Sequence, residues 1–371
     1  MPTLNPFHNP LSKPEVTARP LLTALFPHLQ QPSIISAPML PLSNGRLAAA
    51  VSRAGGLGFI AGGYDFTPNS AALGTLSEEL SSARDALDLT EETLTPLPVG
   101  VGFILTHESV TRFEETALPV LVEHSPQAVW LFAPDLERGG REAQRQIVEV
   151  CKHAGFSVFV QVGTVAAARQ AVLDGADVIV AQGIDAGGHQ YAQGVGVISL
   201  VPEVKTMLLE GFKDREVGLV AAGGIADGRG VAAALALGAD GAVMGTRFIL
   251  SQESGANDYY RKTISQTADA ATSTVKTTFH DAIRGTSAIW PAAYDGRGVV
   301  TDAYRDHVGG MSLEDNIKKS KGDKTRGVTW AGSGVGLVRQ DLPAGDIVRE
   351  VRAAAIKRIK ELHTMVAHFK K

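Results

Sequence analysis

The 371-residue sequence reads as an α/β protein: a closed parallel (β/α)8 barrel with an inserted, partly helical subdomain after the eighth strand. Three observations carry this reading. Eight short apolar runs bounded by Gly, Pro or Asp recur through the first 250 residues. Stretches of helical period separate them. Two of those helices also run into nearly the same phrase, Leu173-Asp174-Gly175-Ala176-Asp177 and Leu237-Gly238-Ala239-Asp240. Each phrase ends a helix near glycine and opens a buried strand, so one βα unit is echoed within the chain.

The runs, in order, are Ser33–Met39, Leu57–Ala61, Val99–Leu105, Ala128–Phe132, Ser157–Val162, Val178–Ala181, Gly218–Ala222 and Gly241–Gly245. Most are continuously apolar rather than alternating, the pattern of strands buried on both faces. Between them, Leu47–Arg53 is short and alanine-rich, and Arg141–His153 is amphipathic. Val165–Leu173 and Gly230–Leu237 are alanine-rich and suit helices packed closely on a sheet. Strands alternating with helices imply right-handed parallel crossovers, and eight such units favour a closed ring over an open doubly wound sheet.

The pattern breaks at Ser251. From there to about Arg326 the chain is rich in Thr, Ser, Ala, Gly and charge, with scattered apolar anchors such as Phe279, Ile289 and Trp290. The stretch is too long for a loop and too weakly periodic for two more barrel units. It is expected to form the inserted subdomain over the barrel mouth, leaving 1–250 and 327–371 as the barrel. Asp346–Phe369 is amphipathic and is expected to close the barrel as its last helix.

Composition narrows the function classes. The chain is 44% hydrophobic and 20% charged, enough for a sizeable core and unlike a disordered protein. Its formal net charge of −4 offers no basic footprint for nucleic acid or anionic lipid. The single cysteine, Cys151, excludes an internal disulfide and a cysteine-rich zinc site, and its helical position reads as core. No HExxH or comparable histidine pairing offers a metal site. No apolar run reaches the roughly 18 residues of a membrane span. The first 30 residues hold six prolines and no continuous apolar segment, so no secretory signal is expected and the compartment expected is the cytoplasm. Oligomeric state is not legible.

The 40 glycines are the compositional surplus, well above the usual share of about 7%. They cluster beside the apolar runs, where tight turns and close ligand approach use them. In a barrel, ligands meet the loops that follow the strands, and three such loops are unusual here. Ala222-Gly223-Gly224-Ile225 and Met244-Gly245-Thr246-Arg247 follow the seventh and eighth runs, where this fold recurrently binds phosphate on backbone N–H groups. Tight strand-to-helix turning alone would explain one Gly-Gly pair; both signals on adjacent strands point to phosphate. Gln182-Gly183-Ile184-Asp185-Ala186-Gly187-Gly188-His189 follows the sixth run and places a histidine on a glycine-rich loop. A lone histidine is most often structural, but this position suits proton abstraction or stabilisation of developing negative charge. Ala37-Pro38-Met39 ends the first run and, with the other loops, reads as one wall of a flat apolar cofactor pocket. Gln161, near the end of the fifth run, could hydrogen-bond a cofactor ring or satisfy a backbone group.

Together these phrases resemble the nitronate monooxygenases, formerly 2-nitropropane dioxygenases. The resemblance rests on Ala37-Pro38-Met39, Gly55-Gly56-Leu57-Gly58, Ala181-Gln182-Gly183, Ala186-Gly187-Gly188-His189, Ala222-Gly223-Gly224-Ile225 and Met244-Gly245-Thr246-Arg247-Phe248. It resumes at Thr329-Trp330-Ala331-Gly332-Ser333-Gly334-Val335-Gly336 and so covers most of the chain. It implies a TIM barrel with non-covalent FMN. The phosphate would rest on Gly223, Gly224, Gly245 and Thr246, and the ring would lie against Ala37, Pro38 and Met39 with Gln161 near its polar edge. Gln182, Gly187 and Gly188 would line the cleft, and His189 would be the base for neutral nitroalkanes. The implied reaction consumes a nitronate and O2 and yields a carbonyl compound and nitrite. One departure is Gly102, where the family usually has asparagine, which removes one hydrogen bond to the cofactor; the insertion matches no motif.

FMN-dependent enoyl-acyl carrier protein reductases and NADH:quinone reductases share the glycine-rich loops and are the alternative reading, with NAD(P)H as reductant. A flavin-binding protein with little turnover is a third. A phosphate-ligand barrel resembling IMP dehydrogenase is disfavoured, because no cysteine follows the sixth run.

Overall fold

The computed structural model describes residues 21–90 and 96–367. In chain order the strands are β1 (Ser33–Ser36), β2 (Gly58–Gly63), β3 (Leu97–Ile104), β4 (Pro126–Phe132), β5 (Ser157–Val162), β6 (Val178–Gln182), β7 (Gly188–Tyr191), β8 (Gly218–Ala222), β9 (Gly241–Met244), β10 (Thr274–Thr277) and β11 (Tyr294–Val299). Eight of them form one parallel sheet in the order β1-β9-β8-β6-β5-β4-β3-β2. A parallel bridge between Ile35 and Leu57 joins its two ends, with Leu57 N–H donating to Ile34 O at 3.0 Å and Ser36 N–H to Leu57 O at 3.1 Å. The sheet is therefore a closed barrel of the predicted class.

The first strand stops at Ser36, short of the expected Met39. Ala37 still donates to Met244 O at 3.1 Å, but Pro38 has no N–H to continue the ladder. Inside the barrel, Phe59, Trp130 and Phe159 pack edge-on and stacked with centroids 5.1 to 6.0 Å apart. Leu22 plugs the base: a Cβ added at Gly218 or Gly241, the first residues of β8 and β9, would meet it at 3.2–3.4 Å. With the base filled, the ligand-accessible end is the opposite one, where the strands finish.

The alanine-rich helices lie where expected, at Gly45–Arg53, Val165–Leu173 and Gly228–Ala236, and the amphipathic one spans Gly140–His153. Cys151 is buried on that last helix, and burial pushes its thiol up to about 12. The closing helix spans Ala344–Ala367; the final expected residues, to Phe369, lie outside the described residues, as do 1–20. Among the described residues no helix is long and apolar enough to cross a membrane, and no cluster of three or more His, Cys, Asp or Glu could hold a metal.

Two features were not foreseen. The segment carrying His189 is not a loop but the strand β7, which lies outside the barrel. It pairs antiparallel with β11, and β11 with β10, in a three-stranded sheet. The 251–326 stretch accordingly contributes two strands as well as helices such as Asp258–Gln266, Phe279–Arg284, Asp302–Val308 and Leu313–Ser320.

Candidate active site at the barrel mouth

A cavity of about 260 Å³ opens at the C-terminal ends of the barrel strands and is roofed by β7, the 284–290 stretch and the 329–336 segment. Each loop singled out in the sequence contributes to its wall.

At one end are the loops after β8 and β9. Gly223 and Gly224 have φ of +116° and +68°, values that L side chains rarely adopt. The N–H groups of Gly223, Gly224 and Gly245 reach no acceptor among the described residues. Three free backbone donors around one concavity form a nest suited to an anion. Thr246 Oγ1 accepts from Gly332 N–H at 3.0 Å, which leaves the hydroxyl hydrogen free to donate. The late glycine-rich segment closes this end: Ser333 N–H donates to Asp185 O at 2.9 Å, and a Cβ on Gly334 would fall 2.3 Å from Gly224 O.

Ala37, Pro38 and Met39 form one wall of the middle of the cavity. Gly102 has a packing reason to be glycine, since its Cβ would fall 2.4 Å from Pro38 Cγ. Trp130 Nε1–H donates to Gln161 Oε1 at 3.0 Å. Indole N–H can only donate, so the amide orientation is fixed and Gln161 turns its NH2 donors to the cavity. Gln182 Nε2 donates to His189 O at 3.1 Å, while its Oε1 is buried with no partner. Gly187 also lines the cavity, and its lack of a side chain lets Ala331 and Gly332 cross it: a Cβ there would lie 2.5 Å from both backbones. Gly188 has φ +71° and opens β7.

His189 stands at the other end. Its Nε2 lies 3.0 Å from both carboxylate oxygens of Asp281, and the two side chains are 10% and 4% exposed. Asp281 Oδ1 also accepts from Thr286 Oγ1 at 3.0 Å. Trp290 stacks on the imidazole with centroids 3.4 Å apart and planes 9° apart, and Trp330 is tilted against it at 4.8 Å. Burial pushes the imidazole below the ordinary histidine value; the Asp281 carboxylate opposes that push. Burial works to raise the Asp281 carboxyl, but the His189 and Thr286 contacts hold it below the usual carboxylate range. Arg284 lies 5.5 Å over Trp330 at the cavity edge and makes no ion pair among the described residues. Tyr260 Oη donates to Trp330 O at 3.1 Å and accepts from Trp330 N–H at 2.6 Å, fixing the backbone there, and burial raises its phenol strongly.

Asp281, Arg284 and Tyr260 escaped the sequence reading, and Trp290 entered it only as an apolar anchor. Asp281 is 92 residues from His189, and no local phrase marks it.

Comparison with known proteins places this geometry. A family model described as nitronate monooxygenase matches residues 20–117 and 137–353. A nitronate monooxygenase of Neurospora crassa is 54% identical over 96% of this chain and 98% of its own length. Among solved structures, FabK from Thermotoga maritima superposes with a TM-score of 0.71 at 26% identity, covering 94% of this chain and all of that one. A nitroalkane oxidase from Streptomyces ansochromogenes gives 0.68 at 28% identity, covering 92% of this chain and 99% of that one. The barrel alone is shared widely, whereas the family match and the near-complete sequence relative agree on one chemistry: this chain is an oxidoreductase that belongs to the nitronate monooxygenase family.

Proposed function

We propose that this protein binds FMN in the mouth of the barrel and oxidises alkyl nitronates with O2 to a carbonyl compound and nitrite, accepting neutral nitroalkanes through His189. The observation that carries the reading is one cavity with an anion nest at one end and a buried imidazole at the other. The chain fits the cofactor: free N–H groups of Gly223, Gly224 and Gly245 with the Thr246 hydroxyl suit a phosphate. Ala37, Pro38 and Met39 offer a flat apolar wall, and the Gln161 NH2 and the orphaned Gln182 Oε1 supply one donor and one acceptor. Bound FMN would supply the electron-acceptor chemistry and the reaction with O2.

The chain's own part is orientation and proton handling. A nitronate is an anion, and the unpaired Arg284 at the cavity edge favours its entry. Trp290, Trp330 and Phe132 exclude water around the reacting carbon. For a neutral nitroalkane, His189 takes the proton from the carbon bearing the nitro group. A preformed nitronate needs no such transfer.

An NAD(P)H-dependent reductase shares the barrel, and FabK superposes as well as the nitroalkane oxidase does. What favours nitronate oxidation is sequence identity across nearly the whole chain. The test is aerobic turnover of ethyl nitronate by the FMN-loaded protein, with nitrite and acetaldehyde measured together. Equimolar products without added NADH support the reading, and absence of nitrite refutes it.

A further inference from the structure

We propose that Asp281, carried by the helix Phe279–Arg284, is a positioning residue that holds His189 in the Nε2–H tautomer and leaves Nδ1 as the proton-accepting atom in the cavity. The inference rests on the reading of His189 as the base.

Two carboxylate oxygens at 3.0 Å from Nε2 offer only acceptors, so that nitrogen carries hydrogen whenever Asp281 is ionised. Nδ1 has no hydrogen bond to the described residues and is not sealed off, while the residue lines the cavity. The ring cannot readily turn to exchange the two atoms. Trp290 lies flat against it at 3.4 Å, and Gln182 fixes the backbone carbonyl of His189. Asp281 is itself fixed: its carboxylate accepts from Thr286 Oγ1, and its carbonyl accepts from Thr286 N–H at 2.9 Å.

The step is a proton transfer and needs no oxidant. The C–H bond next to the nitro group breaks and an Nδ1–H bond forms. The C–H electron pair becomes the C=N bond of the nitronate, and a nitro N=O pair moves onto oxygen. The imidazolium so formed faces the Asp281 anion, which stabilises it. Other charges around the ring are His280 and Arg284 on the same helix as Asp281, and on β11 Asp295, which is paired with Lys276 at 2.6 Å, and Arg297. Arg297 is occupied with Ile184 O, and of this set only Asp281 hydrogen-bonds to the imidazole.

The first readout is independent of turnover. Nitrogen-15 NMR of the full chain labelled at histidine, with and without FMN, reports the tautomer; His189→Asn identifies the signal by its loss. A bare Nδ1 and a protonated Nε2 are expected. A protonated Nδ1, or a freely exchanging mixture, overturns the proposal. The second compares Asp281→Asn with wild type. On nitroethane, kcat/KM is expected to fall at least about tenfold, with its acid limb displaced to lower pH, because the anion that favours imidazolium is gone. On preformed ethyl nitronate, kcat/KM should change less than about twofold. Equal loss on both substrates, or an unmoved pH profile, makes Asp281 merely structural. If wild type oxidises no nitronate, the proposed function fails while the tautomer result still decides the role of Asp281.

Discussion

Burial lowers the basicity of the His189 imidazole, and the Asp281 anion restores part of it. An imidazole accepts a proton only when neutral, so lowering its value extends the working range downward in pH. For nitroethane, kcat/KM should therefore lose activity on acidification only below the ordinary histidine range; a midpoint above that range contradicts the burial argument. Replacing His189 by Asn should retain FMN and cost neutral nitroalkanes roughly 10²–10⁴-fold, the scale of a general base, with a much smaller loss on nitronate. Similar losses on both substrates would remove His189 from the proton transfer. Gly224→Val tests the other end of the cavity. Its φ is +68°, and a Cβ there meets Ser333 Oγ at 3.0 Å and Asp185 Cβ at 3.1 Å, so the nest must deform and FMN retention should fall. A variant that purifies fully yellow would contradict the phosphate site. The sequence exposed His189 and these glycines because strand ends place them. It could not expose Asp281, whose partner lies far along the chain. Nor could it explain Gly102: the loss of a family asparagine is legible, but the Pro38 ring that fills the space is a tertiary contact.

The eight barrel strands were legible because strands buried on both faces are apolar throughout. The strand β7 was not. Its Gly-His-Gln-Tyr carries no apolar run, and its partner β11 begins more than a hundred residues later. β11 is itself disguised by Gly296 and Gly298, which make it look like a loop. A Cβ on Gly296 would lie 2.4 Å from the Trp330 ring, so close packing on the roof requires that glycine. The closing helix was plain from its amphipathic period, yet its key contact is polar. Arg352, 7% exposed, donates to Ala54 O at 3.0 Å, Gly55 O at 2.7 Å and Gln30 Oε1 at 3.2 Å. Arg352→Met leaves Ala54 O without its guanidinium donor and Gly55 O with the Gln30 N–H alone, and should destabilise by roughly 1–3 kcal/mol. Urea unfolding measures this, and a midpoint unchanged at constant slope would show that the helix is held by its apolar face alone.

Across the whole molecule, the cavity draws on β2, β3, β4, β5, β6, β8 and β9, on the loop after β1, on β7 outside the barrel, and on later segments around 284–290 and 330–334. A ligand spanning it would bind the folded form alone and stabilise it by about 2.7 kcal/mol at a hundred times its Kd. Hydrogen exchange should slow on FMN addition in 182–191 and 329–336 more than at the base around Leu22; uniform or absent protection contradicts a cofactor at the mouth. The division into a barrel and a 251–326 insertion stands as our proposal, with β10 and β11 its junction to β7. The most direct test of the account is anaerobic mixing of the FMN-loaded protein with ethyl nitronate, and separately with NADH, following the oxidised-flavin absorbance band. Bleaching by the nitronate, with nitrite released once air is admitted, is the result expected. Bleaching by NADH alone would move the protein to the reductases, and a protein that takes up no flavin would overturn the cofactor assignment itself.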